Sequence, residues 1–155
     1  MAKSKPGKKF KYDLDAVLKV REIREKKEQE KFAEKSREYK KEKEQEGKIK
    51  RKKRGEEEGL RTVYGKGPIK DFAEVLRRHA HLGIVKEDLD KQVEKVIEAS
   101  RRLEEQREHL ISSMKDKKII EKDKENKLED YKKIMQKIEI AFLDEIATER
   151  FRHQK

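Results

Sequence analysis

From Val93 onward, apolar side chains recur at alternating steps of three and four. The series runs through positions 93, 96, 100, 103, 107, 110, 114, 117, 121, 124, 128, 131, 135, 138 and 142, and ten of these fifteen places are apolar. The exceptions include Lys117, Glu121 and Lys124, which fall together. An unbroken seam of this kind predicts a left-handed coiled coil, and neither glycine nor proline occurs after Gly83. The N-terminal side carries a sparser stripe. Leu14, Val17 and Leu18 form an apolar face behind Asp13, a residue suited to capping a helix start. Phe10 and Tyr12 lie just outside to pack back on it, and Phe32 and Tyr39 extend the stripe. Across residues 42–58, thirteen of seventeen side chains are charged and Ile49 is the one large apolar group. Glu-to-Lys pairs three or four apart hold such a stretch helical at about 0.2–0.5 kcal/mol each.

Between the two stripes lie the breakers. Gly55, Gly59, Gly65, Gly67 and Pro68 cluster and interrupt a helix, and a short helix is expected from Ile69 to about His81. Leu82-Gly83-Ile84 places a glycine where a left-handed cap would fall, with an apolar residue after it. The pattern therefore predicts an all-α protein, a long antiparallel two-helix coiled-coil hairpin with an interruption near residues 55–67. A basic flexible tail occupies 1–9. The single hairpin at 10–155 has an ascending arm 10–81, a turn at about 82–86 and a descending arm 87–152. Folding at Gly83 sets residues i and 166 − i opposite each other. It matches the charged block at 42–54 with the polar part of the second seam and places Arg21 opposite Glu145.

Composition narrows the class. Of the 155 residues, 51% are charged and 32% hydrophobic, against roughly 45–50% apolar in an ordinary globular domain. That is too little to build a compact enzyme core, yet enough for one narrow stripe per helix. There is no cysteine, which removes disulfides and thiolate metal sites. No apolar run approaches the roughly 18 residues of a membrane span. The net charge of +11 is concentrated: residues 1–11 carry +5, the stretch KIKRKKR at 48–54 carries +6, and the remainder is neutral.

Candidate chemistry is thin. Gly65-Lys66-Gly67-Pro68 lacks the spacing and preceding strand of a phosphate loop, and carboxylates scattered over helix surfaces do not make a catalytic pocket. His79 and His81 are two apart, on different sides of a helix rather than one metal-binding face. No catalytic residue, cofactor or metal site is expected. The run at Lys50–Arg54 could meet phosphates, but Glu42, Glu44, Glu46 and Glu56–Glu58 bracket it and nearby aromatics that would stack bases are lacking. A solvated helix face is the preferred reading, and a basic coiled coil bound to nucleic acid or the ribosome the alternative. Tyr39, Phe72 and Leu76 sit where the seam is poor, as core or as a partner-binding patch.

The two ends of the chain are more specific. FKYDLDAVLKVREIREKKEQEKFAE at 10–34 and LDEIATERF at 143–151 resemble the two ends of the FliJ family, small coiled-coil proteins of the flagellar type III export apparatus. The opening pattern is met by Phe10, Tyr12, Leu14, Val17, Leu18 and Arg21, and the closing pattern by Leu143, Asp144, Glu145, Ile146, Ala147, Arg150 and Phe151. The resemblance implies a non-enzymatic protein similar to the central stalk of rotary ATPases. Its paired ends would sit in the pore of a hexameric export ATPase. It would also contact the cytoplasmic part of the export-gate membrane protein and escort substrate-specific export chaperones, with no nucleic acid partner. The ATPase contact would fall at Leu14, Leu18, Arg21, Arg24, Ile146, Arg150 and Phe151. The gate contact would fall at Phe32, Tyr39, Phe72, Leu76 and His79. The implied location is cytoplasmic, peripherally associated with the inner membrane at the flagellar base.

Overall fold

The computed structural model describes residues 9–154; the basic tail expected at 1–9 lies outside them but for Lys9. Two helices, α1 at Asp15–Gly65 and α2 at Phe72–His153, pack against each other as an all-α hairpin, and no strand occurs among the described residues. Both helices are richly charged, and ion pairs one turn apart support them. Glu46 takes Lys50 at 2.8 Å and Lys43 at 3.4 Å on α1. Arg101 takes Glu98 and Glu105 at 2.6 and 2.7 Å on α2.

The chain turns at 66–71, where the sequence pattern suggested only an interruption. Gly67 adopts φ +95°, a left-handed conformation that costs a side-chain-bearing residue about 1–2 kcal/mol. Pro68 follows and has no N–H to continue a helix. Asp71 then caps α2, its Oδ1 accepting from the Glu74 N–H at 3.2 Å, which satisfies one of the free donors of the first turn. The expected turn at 82–86 is not formed: α2 passes through Gly83 without a break, and the arms are 15–65 and 72–153 rather than 10–81 and 87–152. The reason lies on either side of that glycine. Leu82 and Val85 are 7% and 1% exposed, and their burial in the seam outweighs the roughly 1 kcal/mol that a glycine costs inside a helix.

Two compact units are distinguished, one joining the chain up to Lys26 with the chain from Ile111 onward, the other formed by Lys27–Leu110. In the second unit Leu60, Val75, Leu82, Val85 and Val96 are buried, together with Gln92, Gln106 and Glu46. The buried glutamines are satisfied across the hairpin. Gln92 Nε2 donates to the Glu42 carboxylate at 2.6 Å and to its carbonyl at 2.9 Å. Gln106 does the same with Glu28, reaching its carbonyl at 3.3 Å. Both pairs have position numbers summing to 134, not 166. The shift follows from moving the turn from Gly83 to 66–71.

The first unit has a smaller core of Tyr12, Leu18 and Ile120 with Phe10 packed on it. The Phe10 and Tyr131 rings lie 5.4 Å apart. Leu14 supplies the first helical acceptor, taking the Leu18 N–H at 2.9 Å, so the cap falls one residue later than Asp13.

Candidate docking surfaces

In the first unit the N-terminal arm is tied to the middle of α2 by polar contacts. The Tyr12 hydroxyl donates to the Asp123 carboxylate. Lys124 meets Asp15 at 2.9 Å, and Lys117 meets Glu25 at 2.5 Å. The Arg21 guanidinium donates to the Asp116 carbonyl at 2.6 Å. Burial pushes the Tyr12 hydroxyl up to about 12, helped by its bond to Asp123, because both disfavour a phenolate there. The bond to Glu25 holds the Lys117 ammonium above its ordinary value.

These contacts define what α1 covers and what it leaves bare. Phe10 stands beside Tyr131, and from Lys132 to Gln154 no side chain of α2 is buried. This end nonetheless carries Ile134, Ile140 and Phe142, each 54% exposed, and Leu143, 57% exposed. At ~1.5 Å per residue, the 22 residues from Lys132 to His153 carry α2 some 33 Å past Tyr131, a single helix among the described residues. Val20 and Ile23 on the stem are also exposed, at 64% and 55%, but lie near Asp116, about 25 Å short of Ile134. Large apolar groups left exposed together at one end of a helix mark a place where a partner sits.

The expected ATPase-contact residues therefore fall in two places instead of one. Leu14, Leu18, Arg21 and Arg24 lie on the stem, where Leu18 is core, Arg21 is engaged with Asp116, and Leu14 and Arg24 are exposed. Ile146, half-buried, and exposed Arg150 and Phe151 lie on the bare end of α2. The stem residue Asp15 faces Lys124, and Ile146 is 22 positions further along, roughly 33 Å. The Arg21–Glu145 pair is likewise not made, since Arg21 lies at Asp116.

The expected gate-contact residues divide in the same way within the second unit. Phe72 and Leu76, 67% and 59% exposed, share a face of α2 with His79 beside the turn. The Tyr64 hydroxyl comes within 2.8 Å of His79 Nε2, and Tyr64 is itself 53% exposed. His81 turns elsewhere, 3.4 Å from Glu56. Phe32 and Tyr39 are half-buried on α1, and Glu42, near Tyr39, faces Gln92, 20 positions or roughly 30 Å from Phe72. They do not join the turn-end patch. Tyr64, which does, sits among the glycines in sequence and outside any apolar stripe; the signal for it is its position fifteen residues before His79 across a tight turn.

No group of three metal-ligating side chains occurs among the described residues, and no helix is long and apolar enough to cross a membrane. The geometry is that of a helical hairpin whose chemistry resides in exposed faces. Family comparison gives this class a definite place: the family described as Flagellar FliJ protein matches residues 10–155. The chain belongs to the FliJ family, and this fits a component of the type III export apparatus. Among solved structures it is similar to a Chlamydia trachomatis protein, CT670, described as a YscO homologue. The TM-score is 0.58 at 23% identity, covering 95% of this chain and 99% of that one, which is a likeness of fold. No curated protein matches the sequence.

Proposed function

We propose that this chain is a non-enzymatic part of the flagellar type III export apparatus, serving as a stalk-like coupler in the ring of the hexameric export ATPase and as an escort for substrate-specific chaperones. The observation that carries the reading is the bare end of α2. A stem held by Tyr12–Asp123, Glu25–Lys117 and Asp15–Lys124 presents a single helix with Ile140, Phe142 and Leu143 exposed. The exposed apolar side chains of this end have burial to gain inside a ring. The stem contacts at Leu14 and Arg24 would meet the mouth of the ring, and Ile146, Arg150 and Phe151 its interior.

The turn-end patch of Phe72, Leu76 and His79, joined by Tyr64, is proposed to face the cytoplasmic part of the export-gate membrane protein. This would hold the chain peripherally at the inner membrane at the flagellar base, in the cytoplasm. The test is the hydrolysis rate of the purified export ATPase. Addition of the chain raises it, and a chain ending at Tyr131 does not. Equal stimulation by both removes the stalk reading.

A further inference from the structure

The second unit carries a cationic groove that the export reading leaves unused. The groove runs between α1 and α2 and encloses about 380 Å³, within the range of roughly 300–1,000 Å³ typical of ligand clefts. Lys48 and Lys52 line it from α1, and Lys91 and Lys95 from α2. All four are exposed, and no salt bridge engages any of them among the described residues. Asp88 is the one carboxylate in the lining, and Ile49 and Val85 give the groove an apolar part. An adjoining groove shares Lys48 and Lys95 and adds Lys41, with Glu42 and Glu44 on its edge; Glu42 is already occupied by Gln92.

Other basic side chains on α1 are matched one turn away, as Glu46 matches Lys43 and Lys50. Here four ammonium groups converge from two helices without such matching, which costs mutual repulsion and leaves their hydration to be exchanged for an anion. We infer that this groove is a docking site for an extended acidic peptide segment of a partner protein, its carboxylates on Lys48, Lys52, Lys91 and Lys95 and an apolar side chain against Ile49.

The shape selects this occupant. A nucleic acid duplex is too broad to enter a furrow between two helices packed about 10 Å apart. A membrane surface is flat and meets charges on a convex face, such as Arg51 and Arg54, which do not line the groove. An extended strand carries side chains to alternate sides, so it can set carboxylates on both walls and one apolar group on the floor. Peptide docking in grooves by such alternation is a general mode. None of the residues proposed to contact ATPase or gate lines this groove, so the inference stands apart from the export reading.

The test is fluorescence anisotropy of a labelled peptide of about ten residues, glutamates alternating around a central leucine, long enough at ~3.3 Å per residue to overrun the groove. With the full chain, binding is expected to saturate and to weaken as salt rises. Replacing Lys48, Lys52, Lys91 and Lys95 together by Gln weakens it roughly 10- to 100-fold, from a factor of about 2–3 per exposed contact. The pair Lys91→Gln and Lys95→Gln alone gives about fourfold to ninefold on the same factor. Arg51→Gln with Arg54→Gln leaves it unchanged, and a peptide with Gln for Glu does not bind. Unchanged affinity in the lysine variants, with helix content intact, overturns the proposal. So does a duplex oligonucleotide or an anionic phosphatidylglycerol vesicle that depends on the groove lysines while the peptide fails to bind.

Discussion

Replacing Gly83 by Ala separates the observed hairpin from its obvious rival by sign as well as by size. Gly83 lies inside α2, and a Cβ built on it meets nothing within 4 Å. Alanine there reduces the freedom of the unfolded chain and is better in a helix by about 0.5–1 kcal/mol. Were Gly83 instead a left-handed cap closing a turn at 82–86, the same change would cost about 1–2 kcal/mol. Gly67→Ala supplies the mirror result: with φ +95°, the substitution strains the true turn by about 1–2 kcal/mol. Gly55→Ala is the control, since that residue is helical with open space around it. Urea or thermal unfolding followed by circular dichroism reads all three. For a chain of this size each 1 kcal/mol shifts the melting temperature by about 2–4 °C. Gly83→Ala and Gly55→Ala should raise it and Gly67→Ala lower it. A lowered melting temperature for Gly83→Ala, with Gly67→Ala neutral, refutes the position of the turn.

Other consequences follow from the same contacts. Gln92→Ala removes the donor that satisfies Glu42 and should cost about 1–3 kcal/mol, read by the urea midpoint; Lys91→Ala, one position away and exposed, should cost little. Tyr12 and Lys117 both have raised values in the fold. The Tyr12 contribution is present in full below pH 10 and is lost as pH rises through about 12, with Lys117 acting in the same direction, so the first unit should loosen in strong alkali, seen as deuterium uptake around Tyr12 and Ile120. Tyr12→Phe should flatten that dependence, because no phenol remains to titrate. Glu46 titrates in the opposite sense. Lys50, then Lys43, hold its carboxyl below the ordinary range, so its contribution is present at neutral pH and fades on acidification, and Glu46→Gln should blunt that loss in an acid titration of helix content.

The two-helix plan was legible because a narrow apolar stripe is all a hairpin needs, and the packing of Phe10 and Tyr12 back onto Leu18 was legible for the same reason. The register was not. Positions 96, 103, 110, 117, 124 and 131 do fall on the covered face, but the alternate row is 92, 99, 106, 113 and 120 rather than 93, 100, 107, 114 and 121. Hydrophobicity preferred Met114, which is 43% exposed, over Ser113, which is 4% exposed. Gln92 and Gln106 could be buried only because Glu42 and Glu28 receive their amides, and such a pairing is invisible until the turn is located. A single misjudged glycine thus displaced the whole register. It also joined Leu14 and Arg21 to Ile146 and Phe151, which the fold keeps apart, so the bare end of α2 could not be foreseen.

The most direct measurement is the distance between spin labels at Val17→Cys and Phe142→Cys, both in the first unit and unique in a chain without cysteine. Asp15 faces Lys124 and Arg21 faces Asp116, so Val17 lies near position 122. Phe142 is then some 20 residues further along α2, which predicts about 30 Å between the labels. A distance near 15 Å, from helices packed about 10 Å apart with Val17 opposite Glu149 and Phe142 seven residues along, would mean that the chain turns at Gly83 and that α2 has no bare end.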